Sequence, residues 1–125
     1  MTERSEQEII SAWITNHETY WAWEFVDNAC RDDPERGWHF VLAILRATDS
    51  PFIIECLGAG PLEDLLVRHG PIIIDRCLNL AATDSKFRHC LASTWQNAIE
   101  HDVWLKVCGA TGRNPDPSQC QSNAN

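Results

Sequence analysis

Two adjacent carboxylates, Glu63 and Asp64, follow two glycines and a proline in the stretch Gly58-Ala-Gly-Pro-Leu-Glu-Asp-Leu-Leu66. Three kinds of chemistry could use such a stretch. A phosphate loop needs a strand before it and a lysine after its second glycine, and this stretch has neither. Its helix start also carries two negative charges, which would repel an anion. A general acid–base pair needs carboxylates that converge on one substrate, whereas neighbours on a helix point about 100° apart. The third reading is structural. Pro61 takes the first helical position, where its missing N–H costs nothing. Glu63 and Asp64 then complement the free N–H groups of the first turn. We take this third reading and keep both carboxylates as candidates for an exposed contact with a partner.

Other chemistry is sparse. The histidines at 17, 39, 69, 89 and 101 never form H-x-x-x-H, and the stretch beginning His17-Glu18 has Trp21 where a second ligand would stand. There is no G-x-S-x-G and no C-x-x-C. Cys56, Cys77 and Cys90 fall on apolar stripes, where burial raises a thiol pKa and makes it inert. Cys120 is expected to be exposed. These patterns point to no catalytic residue, no metal and no cofactor. An enzyme or small-molecule binder, the alternative reading, would have to assemble its site from scattered residues such as Glu55, Glu63, Asp64 and His69.

Composition narrows the partners. The chain has 125 residues, the size of one domain, with 44% hydrophobic residues and six tryptophans. Eighteen acids against ten bases give a net charge of −8. That argues against nucleic acid, which needs a basic face to replace counterions, and against anionic membrane. It permits a basic protein partner. The charged start and the short apolar runs predict neither a signal peptide nor a membrane span, hence a cytoplasmic protein. In that reducing setting, four of the six cysteines read as small buried hydrophobes.

The elements that must position these residues are helices. Residues 6–17 and 20–30 carry apolar stripes at helical spacing. Asp33-Pro34 and Ser50-Pro51 each read as an N-cap followed by proline at the first position. Gly58 or Gly60 would end the helix that begins at Pro51, and Gly70 the helix that begins at Pro61. Pro71 would start the next, and Thr83 or Asp84 would cap a long helix through Phe87, Cys90, Leu91, Trp95, Ala98 and Ile99. A short helix over 102–108 would complete the fold. The expected architecture is all-α, with seven or eight short helices stacked as helical hairpins, either α-solenoid-like or as an irregular bundle. Residues 1–108 would form the domain, and the Gly-, Pro- and Asn-rich residues 109–125 a disordered tail.

The stretches Pro34-Glu-Arg-Gly-Trp38, Leu57 to Leu66, and Lys86 to Trp95 carry a resemblance. In them the chain resembles an uncharacterised family of small bacterial helical proteins with a G-P-L-E-D-L-L signature, over about 70 residues from Trp38 to Val107. The resemblance implies an all-α fold and brings no activity and no site residues with it.

The aromatics complete the candidate list. Trp13, Trp38 and Trp95 lie on apolar stripes and are expected in the core. Tyr20, Trp21 and Trp23 cannot all face one way, so one of them is expected at a partner or dimer contact. The resulting expectation is a non-enzymatic protein-interaction module. One version is an acidic toxin-neutralising or anti-defence protein, steered by charge onto a basic enzyme.

Overall fold

The computed structural model describes residues 5–15 and 20–115. It is all-α, with seven α-helices and one π-helical stretch among those residues. They run in the order α1 (Glu6–Thr15), α2 (Tyr20–Asp32), α3 (Pro34–Ala47), α4 (Pro51–Leu57), the π-helical Gly58–Leu62, α5 (Glu63–Ala81), α6 (Ser85–Ala92) and α7 (His101–Thr111). The capping chemistry is as its residues dictate. Asp33 accepts from the Arg36 N–H at 3.2 Å, Ser50 from Ile53 at 3.4 Å and Asp84 from Phe87 at 3.0 Å.

Of the two expected arrangements, the packing is the irregular bundle. In a solenoid each unit touches only its neighbours. Here α5 packs against α2, α3, α6 and α7, and α1 against both α2 and α3. The core around α5 includes Val26, Ile44, Leu57, Leu62, Leu65, Leu66, Ile73 and Phe87, all essentially inaccessible to solvent. Burying an aliphatic or aromatic side chain of this kind is worth about 1.5–3 kcal/mol. At the outer edge Trp23 stacks on Trp13 with ring centroids 5.1 Å apart and donates its indole N–H to the Trp13 carbonyl at 3.2 Å.

Three expectations are corrected. Gly58 and Gly60 do not end α4. Gly58 stays right-handed, with φ −67° and ψ −46°, and the path continues through the π-helical stretch into α5. Pro61 lies inside that stretch and has no N–H to donate. The wider turn accommodates it, and the Glu63 N–H reaches back five residues to the Gly58 carbonyl. The glycine is required for contact instead. A Cβ at Gly58 would overlap the Cys90 carbonyl oxygen and lie 2.9 Å from the Ser93 Cβ.

The boundary expected at Gly70-Pro71 is present one residue earlier: the helix from Glu63 breaks at His69, with φ −136° and ψ 30°, and a second helical segment with Pro71 in its first turn runs on to Ala81. Gly70 itself does not take the left-handed cap conformation. A Cβ at Gly70 would come 3.0 Å from a Val103 methyl, so this glycine admits α7. The long helix expected through Ile99 stops at Ala92, and Trp95 leaves the core altogether. Finally, α7 runs beyond 108 to Thr111 and closes on Gly112 at φ 72°. The part of the expected tail from 116 onward, with Cys120, lies outside the described residues.

Candidate functional site

The turn between α6 and α7 is built by polar side chains from elsewhere in the fold. Glu63, at the start of α5, accepts the Trp95 backbone N–H at 2.8 Å with one carboxylate oxygen. Its other oxygen accepts from the Asn97 side-chain amide at 2.7 Å. Asn97 is held at φ 42°, a conformation that asparagine tolerates better than most residues. The buried Thr94 hydroxyl donates to the Leu91 carbonyl at 2.8 Å. From the far end of α7, Arg113 donates to the Ala92 carbonyl at 3.0 Å and to the Thr94 carbonyl. Its guanidinium lies 5.6 Å from the centre of the Trp95 ring and 4.8 Å from that of Trp104.

These ties turn residues 93–100 out of the helix that their apolar spacing favours. They leave Trp95 63% exposed at a defined position. Beside the indole is an open cleft of about 250 Å³, lined by Glu55, Ala59, Ala92 and Ser93. Glu55 faces His89 across 3.0 Å at its edge.

A second acidic feature adjoins the first. Asp64 follows Glu63 on α5 and lies near Asp27 of α2, and both carboxyls are half-buried. Burial comes first in raising the Asp27 pKa to about 6, helped by the Asp64 and Glu24 charges and opposed by Arg31. Asp64 is raised as well, by burial and then by Glu63. Among the described residues, neither carboxylate has a cation within ion-pair distance, and Arg31 is directed to Asp32 and Asn28. Tyr20, Glu24 and Asp27 follow at i, i+4 and i+7 along α2, which places them on one face.

The raised Asp27 value fixes the sign of a pH effect. The folded state holds the proton up to about pH 6, against the ordinary 3.8. The corresponding stabilisation is complete below the ordinary value and lost as pH rises through about 6. Asp27→Asn is therefore expected to stabilise the protein at pH 7 by about 1 kcal/mol, the screened value for a half-exposed group. It should also flatten the fall in stability between pH 4 and pH 7. Urea denaturation across that range checks both expectations, and an unchanged pH profile would show that Asp27 titrates normally.

The remaining sequence candidates are dispersed. Tyr20 is 76% exposed, while Trp21 and Trp23 are half-buried against the core. His69 pairs with the Arg31 carbonyl at 2.8 Å. Thus Glu55, Glu63 and His69 are engaged with three different elements, α6, the 93–100 turn and α2, and do not converge with Asp64 on one point. Burial raises the Cys30 and Cys77 thiols to about 12 and pushes Cys90 higher still, so these three are packing groups. Among the described residues no three His, Cys, Asp or Glu side chains are grouped to hold a metal ion, and no helix is long and apolar enough to cross a membrane.

Sequence reasoning missed Asp27, Arg113 and the exposure of Trp95. A charge on a helix ordinarily reads as a solvated face, and Arg113 fell in the presumed tail. The break at Ser93-Thr94, two residues that favour helix ends, was the one available signal for the turn.

This arrangement lies within residues 11–114, which match the model of a family of unknown function (DUF6869). The chain belongs to that family. Membership in DUF6869 extends the earlier resemblance at both ends, taking in α2 with Asp27 and the C-terminal Arg113. It brings no activity with it. No curated protein and no solved structure matches the chain.

Proposed function

We propose that this protein is a non-enzymatic interaction module whose anchor is Trp95 and whose partner presents a basic segment. The exposed, positioned indole carries this reading. An exposed tryptophan gives up the free energy of burial, yet Glu63, Thr94, Arg113 and the left-handed Asn97 all hold it outward. Preorganised aromatic anchors of this kind dominate binding energy at protein interfaces.

Charge supplies the partner's chemistry. The chain carries −8. Glu55 lines the cleft beside the indole, and Asp64 and Asp27 extend the acidic surface from Glu63. A lysine or arginine of the partner entering the cleft would meet the indole face and a carboxylate together. A basic enzyme neutralised by this surface is one form of the proposal, supported by size and charge.

The test is capture from the native cell lysate with four baits: the unaltered protein, Trp95→Ala, Glu24→Gln/Asp27→Asn, and Asp75→Asn on the exposed side of α5. The captured partner is then purified and its affinity measured. Trp95→Ala is expected to weaken binding by about 100-fold, as for an aromatic hot spot. The paired carboxylate variant should slow association and reduce its salt dependence, while Asp75→Asn should do neither. Equal binding by the Trp95→Ala and unaltered proteins would refute the anchor. Capture of a second copy alone would replace the basic partner with a homodimer.

A further inference from the structure

Four cations of this acidic chain are committed. Arg76 pairs with Glu35, Lys86 with Asp49 and Arg31 with Asp32, while Arg113 holds backbone carbonyls. Arg88 and Lys106, like Arg36, Arg46 and Arg68, have no carboxylate within ion-pair distance among the described residues. What sets Arg88 and Lys106 apart is their place. Both border one open groove of about 400 Å³ at the end of α5 remote from Asp64. Its apolar floor is Leu78, Ala81 and Ala82 from that end of α5, with Gly109 and Ala110 from the last turn of α7. No acidic residue lines it.

Two simpler uses of the cations can be weighed. They could answer the negative ends of α5 and α7, whose C-termini meet at the groove. Arg88 does so in part, since its Nε donates to the Ala81 carbonyl at 2.9 Å. That bond fixes the side chain at the rim and engages only one of its three nitrogens. Several of the carbonyls at these ends are used by the backbone. Leu78 and Leu80 accept from Ala82, Thr83 and Asp84, while Cys108 accepts from Gly112 and Arg113. Alternatively, the cations could be ordinary solvated charge. That leaves unexplained why both flank a concave floor of small apolar residues on a chain of net charge −8.

We infer that this groove binds a small amphiphilic carboxylate, its apolar body on the alanine and glycine floor and its carboxylate between Arg88 and Lys106. Charge complementarity selects an anion and the floor selects an apolar body. The volume is at the lower end of small-ligand sites, which suits a short acyl or aryl acid. The site is separate from the Trp95 surface and stands whether or not that surface binds a protein.

The full-length protein, isotope-labelled for amide NMR, would be titrated with octanoate, with octanamide as the neutral isostere, and with inorganic phosphate as a bare anion. Octanoate is expected to give saturable shifts at Ala82, Gly109 and Ala110. Octanamide should bind about tenfold more weakly or worse, because it lacks the charge. Phosphate should not saturate the site. Lys106→Gln should weaken octanoate by about fivefold, an exposed ion pair's share. Gly109→Leu should abolish binding by filling the groove; a Cβ at Gly109 meets no atom within 4 Å, and an otherwise unchanged amide spectrum would show that the variant keeps the fold. The inference is overturned if octanoate shifts no groove amide or binds the Gly109→Leu protein equally. It is overturned equally if octanamide matches octanoate, or if phosphate alone saturates the same amides.

Discussion

Gly58→Ala is expected to lower stability by about 3 kcal/mol or more, at the upper end of overpacking costs. The added methyl would overlap a backbone carbonyl, that of Cys90, and press on the Ser93 Cβ. A side chain could rotate away, but here α6 and the turn that follows it must move as a body. That shift would disturb Leu91 and Phe87, which are fully buried, as well as the turn that carries Trp95. Denaturant unfolding of the variant gives the magnitude. Gly60→Ala is the matched control in the same π-helical stretch, because a Cβ there meets nothing within 4 Å. If the two variants lose equal stability, backbone flexibility rather than close approach is the reason for glycine at 58.

Glu63→Ala is the next largest expected effect, a loss of about 2 kcal/mol, from two hydrogen bonds to an ionised acceptor. The loss is modest because the released Trp95 N–H lies near the surface and can turn to water. The loss should be local. Amide exchange at Trp95 and Asn97 should speed up while that of α2 and α3 stays slow. Glu63→Gln should recover part of the loss, since the carboxamide oxygen can still accept the Trp95 N–H. A uniform loss of protection across the domain would mean that Glu63 acts through the α5 terminus instead. The same variant bears on binding. If Trp95 is an anchor, Glu63→Ala should weaken capture without removing the indole, separating the residue that contacts from the residue that positions.

Local rules carried far along this chain. The caps at Asp33, Ser50 and Asp84 and the apolar stripes of α1 to α3 follow from residue type and spacing, and they sit where those rules place them. The failures share a physical origin. A glycine that closes a helix and one that admits a neighbouring backbone are the same letter. Gly112 is the first kind and Gly58 the second, while Gly70 stands beside the break at His69 and also admits α7. Trp95 continues the spacing of Phe87 and Leu91, but hydrogen bonds from Glu63 and Arg113, both distant in sequence, outweigh that local preference. Of the candidate site, Glu63 and Asp64 were legible as carboxylates open to contact, but not at a free helix start, because the π-helical stretch runs through Pro61 straight into α5. Glu63's hold on a distant turn and Asp64's closeness to Asp27 were not, because both depend on helices meeting in space.

From Pro51 to Arg68 the chain follows one helical path through the π-helical stretch, with no loop before the break at His69. A residue added to such a path swings everything beyond it by about 100° and advances it about 1.5 Å. It would carry Leu65 and Leu66 out of the core together. Family members should therefore keep this interval at constant length and confine insertions and deletions to the short connections at 48–50 and 82–84 and to the 93–100 turn. The last of these is the stretch that displays Trp95, so gain and loss of residues there would be the route by which related chains change what they bind while keeping the same framework.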